Sequence, residues 1–423
     1  MESWEYMVGR ELINKKTEAS IRIHDGLLLV MGAHGSGKTT LLNSIDNHNY
    51  ALNTSEEYNI YSLFLNDQTQ RNKYLVSKVF SGVEEEWEEQ LDKLLKDTFS
   101  KHHYDNIKKK IPCLSCILYD PDMYAIPYQR LVVLVLLKEL AKKEKLLILV
   151  DEPEQFAHPL LIREICALLK EIQMMGNVLI MSTNSQIVVQ KLFTDIEQVL
   201  RLERGTESSI ITQANAEEIV KSIKQFYVDN PMLLRRFSNS KQIDIGVKNI
   251  VDNYIRIYLS SVLRTEIFNI IFSKYIILGE GSSEDVLFDY IEQVLHPDWA
   301  RDKMVNYIGC MGKSSMPFHF IFLNSMNIGT ICMYDYDNDT NEVHKAYAEV
   351  FRKYEVNNRL YRKFVLQPDL EQVLRIEPEY KLMPIEKPVN VFHETFVTQN
   401  VKEKVEEIMH IFESMINEME GMQ

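Results

Sequence analysis

The first half of the chain alternates apolar runs with stretches of helical periodicity. Apolar runs lie at 26–31, 146–150 and 178–181, and each is followed at once by glycine-rich or polar residues. Short continuous apolar runs are typical of strands buried on both faces of a parallel sheet. The pattern therefore predicts an α/β fold with a parallel sheet in this half.

A second alternating pattern begins near residue 275. It predicts strands at 275–278, 305–309 and 328–334, and helices at 285–294, 315–325 and 342–354. The intervening residues 216–272 are rich in helix formers and aliphatic side chains, so we expect a helical connector there. The predicted organisation is an α/β domain at 1–215, the connector at 216–272 and a second α/β domain at 273–423.

Two further segments have helical periodicity. Residues 83–110 are highly charged, with apolar side chains at helical spacing, which indicates an exposed amphipathic helix or helical arm. Residues 401–419 place seven apolar side chains on one stripe. For this stripe, docking on the protein's own core is favoured over binding to a partner.

Composition and charge limit the class of protein. The formal net charge of −14 argues against a uniformly basic surface that coats nucleic acid, although a nuclease that recruits metal ions needs clustered carboxylates. The first residues lack a signal-peptide pattern and no apolar run is long enough to span a bilayer, so we expect a cytoplasmic protein without a membrane segment. The lone C-x-x-C pair of Cys113 and Cys116 is interpreted as ordinary reduced thiols.

Residues 32–39, with the sequence GAHGSGKT, form a P-loop pattern between a predicted strand and a predicted helix. In such a loop, backbone N–H groups surround the phosphates, the lysine contacts the β and γ phosphates, and the next hydroxyl ligates magnesium. The sequence therefore predicts binding of ATP with magnesium. The residues expected to contact the nucleotide are Gly32, Gly35, Ser36, Gly37, Lys38, Thr39 and Thr40.

The strand predicted at 146–150 ends in Asp151 and Glu152. With a P-loop in the same domain, this pair predicts the second half of the nucleotide site. Asp151 would hold the magnesium ion through water, and Glu152 would polarise the attacking water.

Residues 151–159, with the sequence DEPEQFAHP, resemble the corresponding segment of ABC-type ATPases in the overcoming-lysogenization-defect (OLD) nuclease family. The resemblance implies a head-to-tail nucleotide sandwich and hence at least a homodimer. It also implies a signature loop of L-S-S-G-E type, where this chain has Tyr124–Gln129, and a switch histidine, where it has Asn184. Because asparagine does not titrate near neutral pH, we expect ATP binding with slow turnover, as in a regulator.

Acidic residues follow two strands predicted in the second half. Glu280 and Glu284 follow the strand at 275–278, and Asp335, Asp337 and Asp339 follow the strand at 328–334. Ligand sites of parallel sheets lie at such strand ends. Hard oxygen ligands of this number can hold two Mg²⁺ or Mn²⁺ ions for phosphodiester hydrolysis.

This arrangement resembles the Toprim domain, and further segments favour the OLD nucleases among Toprim proteins. Residues 309–315 resemble the G-G-K-S-N turn of that family, 367–371 its P-D-x-E segment and 386–388 its late K-P element. The resemblance implies a catalytic set of Glu280, Asp335, Asp337 and Lys387, in which Lys387 would neutralise charge on the scissile phosphate. Lys313 is the competing lysine.

The leading hypothesis is an OLD-like nuclease, an ABC-type P-loop ATPase domain fused to a C-terminal Toprim domain. The resemblance implies a bacterial anti-phage setting and a neighbouring defence-system protein as a partner. One alternative is an ATP-dependent sensor or scaffold with a silent Toprim domain. A second is a Toprim RNase, although DNA is favoured as the substrate.

Overall fold

The computed structural model describes residues 10–15, 17, 20–54, 56–63, 68–81, 86–111, 113–119, 126–205, 209–233, 252–310, 312–336, 342–367, 369–376 and 387–421. It divides into two compact units, Met1–Gln213 and Ala214–Gln423. Each unit is described by itself.

The strands of the first unit are β1 (Arg10–Asn14), β2 (Ser20–Ile23), β3 (Leu27–Met31), β4 (Tyr50–Asn53), β5 (Asn59–Leu63), β6 (Leu146–Asp151), β7 (Val178–Ser182), β8 (Val199–Arg204) and β9 (Ser209–Gln213). Its helices are α1 (Lys38–Asp46), α2 (Gln68–Val79), α3 (Trp87–Thr98), α4 (Lys101–Lys110), α5 (Leu114–Tyr119), α6 (Ile126–Ala141), α7 (Pro159–Met174) and α8 (Gln186–Leu192).

Six strands of this unit form one sheet in the order β5-β6-β7-β3-β8-β9, and every pair is parallel except β8–β9. The three apolar runs predicted as strands are β3, β6 and β7 at its centre. Strands β3 and β7 are buried throughout, as their lack of polar alternation requires. A small antiparallel sheet, β2-β1-β4, shares an apolar core with α1 and the large sheet, and the sequence analysis did not identify it.

The charged segment at 83–110 differs from its prediction. It forms two helices, α3 and α4, because Phe99 is extended and the Ser100 hydroxyl caps the second helix by accepting from the His103 N–H. Leu91 and Leu95 are fully buried. The interpretation as one exposed helix or arm is therefore wrong, since the apolar face packs inside the unit.

The strands of the second unit are β10 (Tyr275–Gly279), β11 (Val305–Gly309), β12 (Gly329–Asp335) and β13 (Tyr361–Leu366). Its helices are α9 (Ala216–Asp229), α10 (Asp252–Phe272), α11 (Ser282–Tyr290), α12 (Pro297–Lys303), α13 (Met316–Ser325), α14 (Glu342–Asn357), α15 (Leu370–Val373), α16 (Lys387–Phe392) and α17 (Lys402–Glu420). The strands form a parallel sheet in the order β11-β10-β12-β13.

Helices α9 and α10 cover most of the predicted connector. The Tyr227 hydroxyl of α9 donates to the Ser314 carbonyl at 2.9 Å, and the Tyr227 ring packs on Phe318 of α13. These described parts of the segment are helical, and they belong to the second unit.

The C-terminal helix α17 docks its apolar stripe on the second unit. Val405, Ile408, Phe412, Ile416 and Met419 are buried in one core cluster with residues of β10 and β12. The prediction of a docked helix is confirmed. Within the described ranges, no helix combines the length and the hydropathy that crossing a bilayer requires.

Candidate functional site

The loop between β3 and α1 has the geometry of a phosphate-binding loop. Gly32, Gly35 and Gly37 have φ angles of 149°, 78° and 101°. A residue with a side chain would be strained in these conformations. A Cβ atom on Gly32 would lie 2.1 Å from the Leu202 carbonyl oxygen, and one on Gly37 would lie 2.8 Å from Ser209 Oγ. The glycines therefore allow both the turn and the close approach of β8 and β9.

Lys38 is buried at the start of α1, and its ammonium group contacts the backbone of the P-loop. Lys38 Nζ donates to the carbonyl oxygens of Gly32 at 2.7 Å and Ala33 at 3.2 Å. Burial lowers the pKa of Lys38, and the carboxylates of Glu152 and Asp151 oppose that change. A cationic donor is thus held where a P-loop binds phosphate oxygens.

Asp151, at the end of β6, accepts hydrogen bonds from hydroxyl groups on two neighbouring elements. Thr39 Oγ1 donates to Asp151 Oδ2 at 3.0 Å, and Ser182 Oγ donates to Asp151 Oδ1. Ser182 stands opposite Asp151 in the parallel register of β6 and β7. The structure therefore brings together the two residues predicted to hold magnesium, and it adds Ser182, which the sequence analysis did not identify.

Asn184 connects two acidic residues beyond β6. Asn184 Nδ2 donates to Glu152 Oε1 at 2.7 Å, and the Asn184 backbone N–H donates to Glu154 Oε1 at 2.7 Å. Burial raises the pKa of Glu154. Asn184 thus contacts Glu152, the predicted water-polarising residue, through an amide that does not titrate.

Arg130, near the start of α6, holds the backbone of the same segment. Arg130 Nη1 donates to the Glu152 carbonyl at 2.5 Å, and Nη2 donates to the Asp151 carbonyl at 3.1 Å. The arginine is buried, and Glu152 has a left-handed φ of 44°, which is costly for a residue with a side chain. Charge-assisted hydrogen bonds stabilise that conformation. The sequence feature that could have drawn attention to Arg130 is its position as the one cationic residue in the apolar segment 126–137.

The second unit brings Glu280 and Asp335 together at the ends of adjacent strands. Strands β10 and β12 are parallel neighbours, so the residues that follow them meet at one sheet edge. Glu280 Oε1 accepts a hydrogen bond from the Asp335 backbone N–H at 2.9 Å. Among the described residues, Asp335 Oδ1 is buried without a hydrogen-bond partner.

Glu284 lies one helical turn beyond Glu280, at the start of α11, where Glu284 Oε2 accepts from the Gly281 N–H at 3.1 Å. Burial, with the charges of Glu280 and Glu371, raises the pKa of Glu284 to about 7. Burial and the nearby carboxylates, opposed by Lys313, raise the pKa of Asp335 to about 8. These carboxylates lie close enough to repel one another, which is the environment that a bound cation relieves.

This sheet edge lies in a segment that matches a known family. Residues 271–337 match the model described as overcoming lysogenization defect protein-like, TOPRIM domain. The second unit carries an OLD-like Toprim domain. The matched range contains Glu280, Glu284 and Asp335, so the predicted resemblance of this segment to an OLD-like Toprim domain is confirmed.

The second unit contains a further carboxylate near this sheet edge, beyond the matched range, to which the sequence alone assigned no role. Glu371 of α15 is buried, and Glu371 Oε2 lies 3.3 Å from Lys387 Nζ at the start of α16. Burial lowers the pKa of Lys387, but the charges of Glu371, Asp335 and Asp369 outweigh that effect and raise it overall. The sequence did not indicate that Glu371 lies near Asp335, because strand β13 separates the two residues along the chain.

The competing lysine also lies in the Toprim site. Lys313 is buried, and Lys313 Nζ is 3.2 Å from Glu280 Oε1. The turn before it is fixed by the Gly312 N–H, which donates to the Glu280 carbonyl at 2.8 Å. Asp337 and Asp339 lie outside the described residues, so their part in the site stays a prediction.

Solved structures similar to the chain include ABC and SMC ATPase heads. The SMC head domain from Thermotoga maritima is 13% identical over 49% of this chain and 98% of its own, with a TM-score of 0.30. A dimeric ATP-binding cassette in a post-hydrolysis state with ADP and Pi is 20% identical over 43% of this chain and 90% of its own, with a TM-score of 0.28. No curated protein matched the sequence.

Both units have an α/β fold, and the second contains the segment that matches the Toprim model. The first unit has the geometry of a P-loop between β3 and α1.

Proposed function

We propose that the chain is a metal-dependent endonuclease whose cutting is controlled by ATP binding, with DNA as the favoured substrate. The observation that carries the proposal is the convergence of Glu280, Glu284, Asp335 and Glu371 at one sheet edge. Burial and the repulsion among these carboxylates raise the pKa values of Glu284 and Asp335, and without a bound cation both effects would only destabilise the fold. Such a cluster is typical of sites that bind cations.

The residues fit Mg²⁺ or Mn²⁺, and Glu280, Glu284, Asp335 and Glu371 would hold the ions. The buried Asp335 Oδ1 has no hydrogen-bond partner among the described residues, so it is an oxygen suited to a cation. Bound at this edge, the ions would activate water and stabilise the leaving oxygen. Asp337 and Asp339 remain proposed additional ligands from the sequence.

The two lysines are suited to different roles. Lys313 is 7% exposed and paired with Glu280, so it orients that carboxylate. The Lys387 side chain is 39% exposed and can therefore also contact a substrate phosphate. We assign the neutralisation of phosphate charge to Lys387.

ATP control is assigned to the first unit. Lys38 and the P-loop would hold the phosphates, with Thr39 and Asp151 at the magnesium ion. Glu152 would polarise water, but its partner Asn184 cannot take up a proton at neutral pH, which supports slow turnover. Occupancy of the site by ATP would then control cleavage.

The biological setting follows from the family resemblance. We propose a role in bacterial anti-phage defence, as a homodimer or higher homo-oligomer, beside a neighbouring defence-system protein. Plaque counts in cells that express the wild-type chain or Asp335→Asn test the defence role. Equal plaque counts for both chains, with and without the neighbouring gene, would refute it.

A cleavage assay tests the nuclease activity. Purified chain is incubated with supercoiled plasmid and separately with RNA, in Mg²⁺ or Mn²⁺, with and without ATP and the neighbouring protein. Glu280→Gln and Asp335→Asn should abolish cleavage, whereas Asp298→Asn, at an exposed carboxylate of α12, should not change it. Cleavage that survives both site substitutions, or no cleavage of either substrate, would overturn the nuclease proposal, and cleavage of RNA alone would overturn the choice of DNA.

A separate comparison tests the control by ATP. Lys38→Ala should abolish the effect of ATP on cleavage but leave the metal-dependent cutting itself. A non-hydrolysable ATP analogue should act like ATP if occupancy is what matters. If the analogue and ATP change the steady rate in opposite directions, occupancy control is wrong.

A further inference from the structure

We propose that Tyr307 is a positioning residue of the carboxylate site in the second unit, where its hydroxyl fixes the turn that carries Glu280 and Glu284. The inference rests on the metal-dependent activity proposed above and adds a residue to that site. Tyr307 is buried in β11, the strand that pairs with β10. Its hydroxyl donates to the Gly281 carbonyl at 2.6 Å.

The turn needs support from neighbouring elements because glycines flank its first carboxylate. Glu280 stands between Gly279 and Gly281. Glycine restricts the backbone less than any other residue, so the chain on either side does little to fix the direction of Glu280. That direction therefore depends on hydrogen bonds that other segments make to the turn.

Three donors from β11 and the loop after it hold the carbonyl groups of residues 279–281. The N–H groups of Cys310 and Gly312 donate to the first two carbonyls, at 2.9 Å and 2.8 Å. The Tyr307 hydroxyl donates to the third. Of these three donors, the hydroxyl is the one that belongs to a side chain, so a substitution can remove it without altering the backbone.

The same turn sets the position of Glu284. Gly281 is the N-cap residue of α11, and its N–H donates to Glu284 Oε2 at 3.1 Å. Hydrogen bonds at the carbonyl and at the N–H restrict the peptide groups on both sides of Gly281. Tyr307 thus constrains the residue that joins Glu280 to the first turn of α11.

The Tyr307 ring is packed against the elements that it supports. It stacks on Phe288 of α11, with 6.0 Å between the ring centroids. A Cβ atom on Gly279 would lie 2.2 Å from the Tyr307 hydroxyl oxygen, so the turn approaches the tyrosine closely. Groups that hold metal ligands in place contribute to metal affinity without touching the ion.

Metal titration of Tyr307→Phe tests the proposal, because phenylalanine keeps the ring and removes the hydroxyl. The full chain is treated with chelator and titrated calorimetrically with Mn²⁺ in the absence of ATP. The Mn²⁺ affinity should fall about 10–100-fold, as for other groups that orient metal ligands. The matched control is Tyr104→Phe, which removes a hydroxyl that donates to Asp92 Oδ1 at 2.7 Å in the first unit, and it should bind Mn²⁺ as the wild type does.

Amide hydrogen exchange of the metal-free chain gives a second measurement. Exchange at residues 280–284 should be faster in Tyr307→Phe than in the wild type, whereas exchange in α17 should not change. In Tyr104→Phe, exchange at the turn should equal that of the wild type. A general loss of stability would instead speed exchange throughout the second unit and leave the metal affinity of the folded chain unchanged.

Equal Mn²⁺ affinity in the wild type and Tyr307→Phe would overturn the proposal, even if exchange at the turn differs. If the wild type binds no Mn²⁺, the metal-dependent nuclease proposal fails. The exchange comparison then decides alone: faster exchange at the turn supports the role of Tyr307, and equal exchange overturns it.

Metal-free circular dichroism shows whether Tyr307→Phe is folded. If it is unfolded, Phe288→Leu decides the question, because it keeps the hydroxyl but loosens the packing of the Tyr307 ring. Phe288→Leu should then weaken Mn²⁺ binding and speed exchange at the turn. Wild-type affinity and exchange in that variant would overturn the proposal.

Discussion

Binding of Mg²⁺ at the Toprim edge is expected to release protons at neutral pH. The pKa of Asp335 is raised to about 8 and that of Glu284 to about 7, chiefly by burial. At pH 7 the metal-free chain therefore carries protons on carboxyl groups that a metal ion needs as carboxylates. Metal and protons compete for the same oxygens.

The size of the effect follows from these two pKa values. At pH 7, Asp335 holds about 0.9 proton and Glu284 about 0.5, so metal binding releases up to about 1.4 protons per chain. The number rises to about 1.9 at pH 6 and falls to about 0.1 at pH 9. The Mg²⁺ affinity should accordingly increase about 10²–10³-fold between pH 6 and pH 8.

Calorimetric titration of the chelator-treated chain with Mg²⁺ measures this release. Titrations without ATP, in buffers of different ionisation enthalpy, give the proton number directly at each pH. Glu284→Gln should lower the release at pH 7 by about 0.5 proton or more, because its charge also contributes to the raised pKa of Asp335. Asp298→Asn serves as the matched control at an exposed carboxylate.

A release that stays constant from pH 6 to pH 9 would refute this reasoning. So would an equal release from the wild type and Glu284→Gln. A constant release would mean that neither pKa lies in this range, and an equal release would mean that Glu284 contributes no proton.

Three further predictions concern folding and ATP turnover. Gly279→Ala should destabilise the chain by about 1–3 kcal/mol in denaturant unfolding, because its Cβ would lie 2.2 Å from the Tyr307 hydroxyl. The control Gly281→Ala, whose Cβ would have no contact under 3.9 Å, should be nearly neutral. Arg130→Lys should lower the ATPase kcat with little change in nucleotide affinity, because lysine cannot make the paired contacts of Arg130 to the Asp151 and Glu152 carbonyls. An unchanged kcat would contradict the positioning role of Arg130. Glu152→Gln should lower ATP turnover about 10²-fold or more in a phosphate-release assay while ATP still binds, and normal turnover would remove it from the reaction.

The stability of the metal-free chain should also depend on pH. Because the pKa values of Asp335 and Glu284 are higher in the folded chain than the ordinary values, the folded state binds more protons than the unfolded state between about pH 4 and pH 8. The contribution of these groups to the free energy of unfolding therefore falls as pH rises through that window. Chemical unfolding with chelator at several pH values measures it, and a contribution that grows with pH would contradict the sign.

Local motifs with a fixed chain spacing could be predicted from the sequence. The P-loop glycines, Lys38 and Thr39 lie within one loop, and the strand before Asp151 has no polar alternation, so pattern alone located them. The pairing of Glu280 with Asp335 followed from the rule that parallel strands end at a common edge. In each case short-range chemistry and a general topological rule were sufficient.

Contacts across long sequence separations could not be predicted in this way. Arg130 meets the Asp151 and Glu152 carbonyls only because the fold brings the start of α6 near the end of β6, and Glu371 reaches the Toprim edge only after β13. The helix break at Ser100 was missed because the apolar spacing at 83–110 continues across it. Tertiary packing, which a single sequence does not display, determined the first two, whereas the break at Ser100 is a local cap.

The two lysines at the Toprim edge affect how that domain behaves when its metal ions are removed. Lys313 beside Glu280 and Lys387 beside Glu371 already supply positive charge to a pocket built from acids. Dialysis against chelator should therefore leave the domain assembled, and adding metal back should need only the loss of the protons held by Asp335 and Glu284. For such a domain, activation would be the exchange of protons for metal on a folded scaffold rather than a folding event.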